Sequence, residues 1–219
     1  MFGLPKLKIL SLFGIDLYFD ASFFFLLGIF LFRPLEALAI MLMVFSFVIL
    51  HEFGHALTAK KLGYETKDIT IGFVGGIASI EGDWIKNPTH ELIITFAGPM
   101  VNFVLMALSS LTILLPFNST IDYVASLTFV LNAIILAFNL LPIYPMDGGR
   151  MLKSILLILI KNKSIALKWT QYVSIAVAVS ISIAFLSIGA ILPAAVLLLM
   201  AFLIGPNELG RIEDELSGN

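Results

Sequence analysis

The chain has 219 residues, of which 59% are hydrophobic and 13% charged, with a mean hydropathy of +1.03. Soluble domains carry about a quarter charged residues, so this chain has too few ions to cover a free surface; a soluble globule, a disordered chain and a nucleic-acid-binding arm are excluded. The net charge of −2 identifies no partner, and the lack of cysteine removes disulfides, thiolate metal sites and a cysteine nucleophile.

In chain order, Met1–Asp20 carries Lys6 and Lys8 with no early apolar run before a small-residue cleavage site, so no removable signal peptide is expected. Within it, Ile9–Tyr18 is β-leaning, with a turn at Gly14. A transmembrane helix needs about 20 mainly apolar residues to cross about 30 Å of hydrocarbon. Six crossings are predicted: a weak first span from Ala21 to Phe32, broken by Arg33-Pro34, a second running through Ala37–Leu50 into His51, and further spans over Leu92–Leu115, Tyr123–Tyr144, Trp169–Ile188 and Gly189–Ile204. Between the second and third, residues 69–84 alternate β-branched and small residues around Gly75-Gly76. This predicts a re-entrant or interfacial hairpin with a primed two-residue turn there. Residues 150–168 read as a linker with a short interfacial stretch at Met151–Ile160, and 206–219 as a solvated tail holding Arg211 and the acidic run Glu213-Asp214-Glu215. The expected architecture is therefore an α-helical polytopic membrane protein forming one core over 1–219, with β structure at 1–20 and 69–84. With the N-terminus inside, every Lys and Arg of the 13 except Arg33 falls on the inner side, which predicts two cytosolic termini.

The second span ends in His51-Glu52-Phe53-Gly54-His55. Two histidines at i and i+4 differ by about 40° in direction and about 6 Å in rise, so both rings can reach one metal ion. The glutamate between them is placed to polarise a metal-bound water and take its proton, as in zinc peptidases. The motif would arise by chance in roughly one or two shuffled chains per thousand. It lies nine residues before Lys60, a depth at which ionisable groups are costly and mark function rather than a polar helix cap. A catalytic zinc keeps three protein ligands and one open position. With no cysteine and only His90 left over, a carboxylate is expected as the third, and Asp147 in Pro145-Met146-Asp147-Gly148-Gly149 follows directly on the fourth span, which ends on the same side as the second. An ordinary Asp-Gly turn is the competing reading of Asp147 taken alone. His90, among Asn87-Pro88-Thr89, reads as a surface residue, Glu91 as a first-turn carboxylate favoured by the helix dipole, and Trp84 and Trp169 as interface anchors.

Three motifs in order, His51-Glu52-Phe53-Gly54-His55, Ala97-Gly98-Pro99-Met100-Val101-Asn102, and Phe138-Asn139-Leu140-Leu141-Pro142 leading to Met146-Asp147-Gly148-Gly149, resemble the signatures of the site-2 protease family of intramembrane metalloproteases. The resemblance covers nearly the whole chain and is nearest to the short archaeal and bacterial members, without the PDZ or CBS modules of many relatives; a minimal member or a truncated membrane core are the two expectations. It implies one zinc ion held by His51, His55 and Asp147, with Glu52 as the base. It also implies that Asn139 lies near the active site and stabilises the oxyanion, and that Asn102 supports the catalytic core, although an amide in an apolar helix serves equally as an interhelical hydrogen bond. The implied substrate is a membrane-anchored protein cleaved within or near its transmembrane segment to release a fragment. From the residues themselves, an extended substrate is expected to pair with the hairpin at Gly75 and Gly76. The alternative, a metal transporter, would spread its ligands along a midplane path in related half-repeats. Here the ligands cluster near one face beside a general base.

Overall fold

In the computed structural model, the residues described are 4–73, 75–82, 86–115 and 118–217; Trp84, read above as an anchor, lies outside them. The chain divides into two units, Met1–Gly82 with Ala97–Leu136, and Asp83–Phe96 with Ala137–Asn219.

The first unit opens with strands β1 (Lys6–Leu12) and β2 (Ile15–Asp20), joined through Phe13 and Gly14, both at positive φ. Asp20 then caps helix α1 (Ala21–Phe30), its carboxylate accepting from the N–H groups of Ser22 and Phe23 at 2.9 and 3.2 Å. After Arg33-Pro34 comes α2 (Leu35–Lys61), followed by β3 (Thr66–Gly72) and β4 (Gly75–Ile80). The four strands form one sheet in the order β1-β2-β3-β4, antiparallel, parallel, antiparallel. Parallel pairing of β2 with β3 requires a crossover, and α1 and α2 supply it. One sheet face is apolar at every second residue: Ile15 and Leu17 of β2 and Ile69 and Ile71 of β3 are buried together with Phe23, Met41, Phe45, Phe53 and Ala56 of the helices.

Two expectations change here. The helix α1 has ten residues, about 15 Å, half the hydrocarbon thickness, because Arg33-Pro34 stops it; among the described residues five helices, not six, are long and apolar enough to cross a membrane. The hairpin also differs in register. Gly72 pairs with Gly75, so Gly75-Gly76 opens β4 instead of forming the turn, and the sheet begins at Thr66 because Glu65 and Glu81 are already joined by a backbone hydrogen bond.

Helices α3 (Pro88–Leu114) and α4 (Ser119–Asn139) each contribute to both units. The second unit continues with α5 (Asp147–Leu159), α6 (Lys163–Ser187), α7 (Ile191–Leu199), a π-helical turn at Met200–Ile204, and α8 (Gly205–Ser217). The stretch read as a linker is thus α5 together with the first turns of α6, which Asn162 caps by accepting from the Ile165 N–H at 3.1 Å. The expected tail is helical to Ser217, since Leu209 buries itself against Tyr144 and Leu167 with Ile212 packed beside them.

Candidate metal centre

In the first unit, α2 and α3 meet at two glycines. A Cβ on Gly54 would stand 2.8 Å from Val101 Cγ2 and 2.9 Å from the Ala97 carbonyl, so only glycine allows this approach. On the facing helix, a Cβ on Gly98 would lie 2.3 Å from His55 Nε2 and 2.6 Å from His51 Nε2. Gly98 therefore leaves a space into which both imidazoles point. His51 and His55 are buried, and their Nε2 atoms are 3.0 Å apart. Two imidazole nitrogens converging at that separation in a buried site are of the type that ligates a shared cation.

The other face of His51 is fixed. Its Nδ1 lies 2.5 Å from Asn102 Oδ1, which as an acceptor places the ring proton on Nδ1 and the ring's lone pair on Nε2. Asn102 in turn donates through Nδ2 to Asn132 Oδ1 at 2.8 Å, and Asn132 donates to the Thr128 carbonyl at 2.9 Å. This orientation of the amides satisfies every partner in the chain. Both asparagines are fully buried, so the ladder across α2, α3 and α4 is a costly arrangement unless complete.

Glu52 faces the sheet. Its Cγ would be 2.4 Å from a Cβ on Gly76, and its Oε2 accepts from the Ala78 N–H at 3.1 Å. Gly76 is thus a residue of close approach to Glu52, whereas Gly75, at φ 132°, serves the strand start with open space around it.

In the second unit, Asp147 begins α5 and is buried. Its placement depends on the two glycines after it. A Cβ on Gly148 would lie 2.3 Å from the Leu140 carbonyl, and one on Gly149 2.2 Å from the Tyr144 nitrogen, so the chain leaving α4 folds tightly over the start of α5. Ile143 is buried against Ala178, Leu197 and Ala201, and the Tyr144 N–H donates to Ser174 Oγ at 3.0 Å. Asn139 closes α4 in the same unit, half-buried. Seven residues into α5, Lys153 is fully buried with its Nζ 2.8 Å from Glu91 Oε1. Ser154 donates to Glu91 Oε2 at 2.8 Å, and Arg150 Nε approaches Glu91 at 3.5 Å. Burial pushes the Lys153 ammonium below its usual range and Glu91 pulls it back up. Glu91 is therefore a buried ion-pair partner, beyond the first-turn role read from its position.

The profile of peptidase family M50 matches residues 39–119 and 116–184, most of the chain including all three motifs. The chain belongs to peptidase family M50. With its five long apolar helices, this M50 chain is a multi-pass membrane protein. It is similar to the zinc metalloprotease of Methanocaldococcus jannaschii, 38% identical over 121 residues, 52% of this chain and 33% of that one. A Synechocystis protein is 32% identical over 167 residues, 68% of this chain and 44% of its own length, and the stage IV sporulation protein FB of Bacillus subtilis is 30% identical over 122 residues. The chain thus spans less than half the length of these curated relatives. The solved structure of a site-2 protease from M. jannaschii superposes with a TM-score of 0.63 at 25% identity, covering 90% of this chain and 93% of that one.

The structure brings His51, Glu52, His55, Asn102 and Gly76 together in the first unit, and places Asp147 and Asn139 in the second. Three participants escape the sequence reading: Gly98, Asn132 and the Ala78 N–H. Gly98 lies within the quoted motif, and its neighbours at i−1 and i+4, Ala97 and Asn102, were a usable signal; Asn132 is one polar residue in an apolar helix, and a backbone donor has no signature at all.

Proposed function

We propose that this M50 protein is an intramembrane zinc endopeptidase that cleaves membrane-anchored proteins within or near a transmembrane segment. The observation that carries the reading is the buried pair of Nε2 atoms 3.0 Å apart, one of them oriented by Asn102, with Glu52 on the same helix. With Asp147 assigned as third ligand by its match to the family's motif, His51, His55 and Asp147 make a two-histidine, one-carboxylate donor set of the kind that leaves zinc an open position. When bound, zinc supplies Lewis acidity and lowers the pKa of a coordinated water. Glu52 takes the proton from water and returns it to the leaving amine. Asn139, by its match to the family's motif, donates to the oxyanion. Asn102 and Asn132 hold His51 in the ligating tautomer.

Presenting a substrate requires an unwound segment, because a helical carbonyl is hydrogen-bonded to the next turn. The free edge of β4 is suited to receive it. Gly76 and Ala78 present little side-chain bulk toward α2, and main-chain pairing with β4 selects for ease of unwinding over sequence.

The topology we favour keeps six crossings, the first a composite. β2 contributes about 20 Å and α1 about 15 Å, together enough for about 30 Å of hydrocarbon. A strand is acceptable at depth when its backbone is paired, and β2 is paired on both edges. Six crossings leave the C-terminus and the β1–β2 turn on the cytosolic side together with every Lys and Arg except Arg33 and Lys6, which stands opposite Asp20 at the far end of β2.

The deciding experiment compares wild type with Glu52→Gln at equal bound zinc on a membrane-anchored fusion substrate in detergent. Wild type should cleave it and the variant should be slower by at least about a hundredfold. Equal rates would refute the protease reading, and zinc uptake into vesicles without cleavage would point to transport.

A further inference from the structure

The Ala78 N–H has one hydrogen to give, and Glu52 Oε2 receives it at 3.1 Å. In the register of β4 on β3, Ile69 stands opposite Ala78 and Ile71 opposite Gly76. In an antiparallel ladder successive N–H groups point alternately to the partner and away, so a bond from Ala78 to a group outside the sheet marks its donor as one that faces the free edge. Among the described residues, β4 is the last strand on that side. The Glu52 carboxylate therefore sits where the carbonyl of an added strand would sit. It is held there by a second constraint, since its Cγ lies against the Cα of Gly76, where a Cβ would come within 2.4 Å.

We propose that the Ala78 N–H is a positioning group that couples substrate addition to release of the base. This rests on the reading of β4 as the substrate-binding edge. While the edge is empty, Ala78 engages one oxygen of Glu52 and turns the carboxylate toward the sheet. A substrate strand pairing with β4 supplies a carbonyl to the same N–H, and because one hydrogen makes one strong bond, the carboxylate is displaced. Glu52 is then free to rotate toward the water it deprotonates. The coupling makes the base more available when an extended segment is in place, by about one hydrogen bond's worth, roughly a fivefold effect. It also gives a reason for glycine at 76, since the carboxylate can swing only if no side chain stands over its stem.

The test uses the zinc-loaded full chain in detergent, with Ala78 replaced by its α-hydroxy acid, which removes the N–H and keeps the side chain. Ala78→Pro is a second variant, since proline is accepted where a strand N–H faces an edge. Two probes are compared: a short fluorogenic peptide N-methylated outside its scissile bond, which cannot pair with a strand, and a membrane-anchored fusion protein with a helix-breaking transmembrane segment. Circular dichroism and zinc per chain monitor the fold. The short peptide should be cleaved about fivefold faster by both variants and the anchored substrate more slowly, a pair of opposite effects that structural damage does not produce. A short peptide cleaved no faster, with the anchored substrate slowed, would overturn the coupling while leaving strand addition intact. Acceleration of the short peptide with undiminished cleavage of the anchored substrate would remove strand addition, and the proposal with it. In wild type the amide 15N–1H signal of Ala78 should move on Glu52→Gln; a stationary signal would show that the bond is absent.

Discussion

Gly98 shows how much a single hydrogen in place of a methyl group can decide. With any side chain at 98, the Cβ stands 2.3 Å from one imidazole nitrogen and 2.6 Å from the other, inside the space the two rings share. Alanine is a better helix former than glycine, so Gly98→Ala should leave α3 intact, and if anything favour it by up to about 1 kcal/mol. Bound zinc per chain, measured by elemental analysis, should fall to near zero while helical content by circular dichroism is unchanged; full zinc occupancy in a folded variant would contradict the placement of the site. His51 and His55 were legible as a pair because a helix repeat of 3.6 imposes their common direction on the sequence itself. Asn102 was legible only through its motif. Asn132 was not, because nothing in α4 marks which helix its amide will face.

At the scale of elements, α5 is held to the start of α3 by charge. Lys153 and Glu91 are each 1% exposed, 2.8 Å apart, and Ser154 takes the second carboxylate oxygen. Removing one partner of such a pair leaves a buried charge, so Lys153→Met or Glu91→Gln alone should cost about 3–5 kcal/mol, and the double variant much less than the sum. Thermal unfolding in detergent of the two singles and the double checks this; additive losses would deny the pairing. The sheet carries a pH dependence of its own. Burial raises the Asp68 carboxyl, but hydrogen bonds from Lys6 and Ser79 outweigh it, and the net shift is downward. A carboxylate lowered by folding contributes stability above its unfolded pKa, about 3.9, and that contribution disappears as pH falls through the lower folded value. Amide-exchange protection in β1 and β3 should hold from pH 7 to about 4 and decline below it, and Asp68→Asn should remove much of that decline. The strands were expected near Ile9–Tyr18 and 69–84, where apolar residues alternate. Their pairing of β2 with β3 was not readable, since 45 residues of helix and loop separate Asp20 from Thr66.

For the molecule as a whole, the absence of cysteine makes topology directly measurable. A single cysteine at Arg33 should react with a membrane-impermeant maleimide in intact cells, and one at Leu12, exposed beside the β1–β2 turn, only after permeabilisation; labelling of both from the same side would exclude the composite first crossing. The sequence by itself determined that the chain lives in a membrane, since 13% charge leaves no alternative, and it located the five long apolar helices among the described residues, because each such run must satisfy its backbone internally. It also singled out the residues of the proposed site, for the converse of the same reason: where charge is scarce, His51, Glu52, His55 and Asp147 stand out against an apolar background. Tertiary structure alone decided what surrounds them. Close approach at Gly98, the amide ladder through Asn132, the ion pair of Glu91 with Lys153 and the hydrogen bond from Ala78 to Glu52 all join residues distant in the chain, so no local pattern encodes them. The sequence names the groups that do chemistry by their rarity, and the fold selects their partners by proximity, which a linear spacing does not contain.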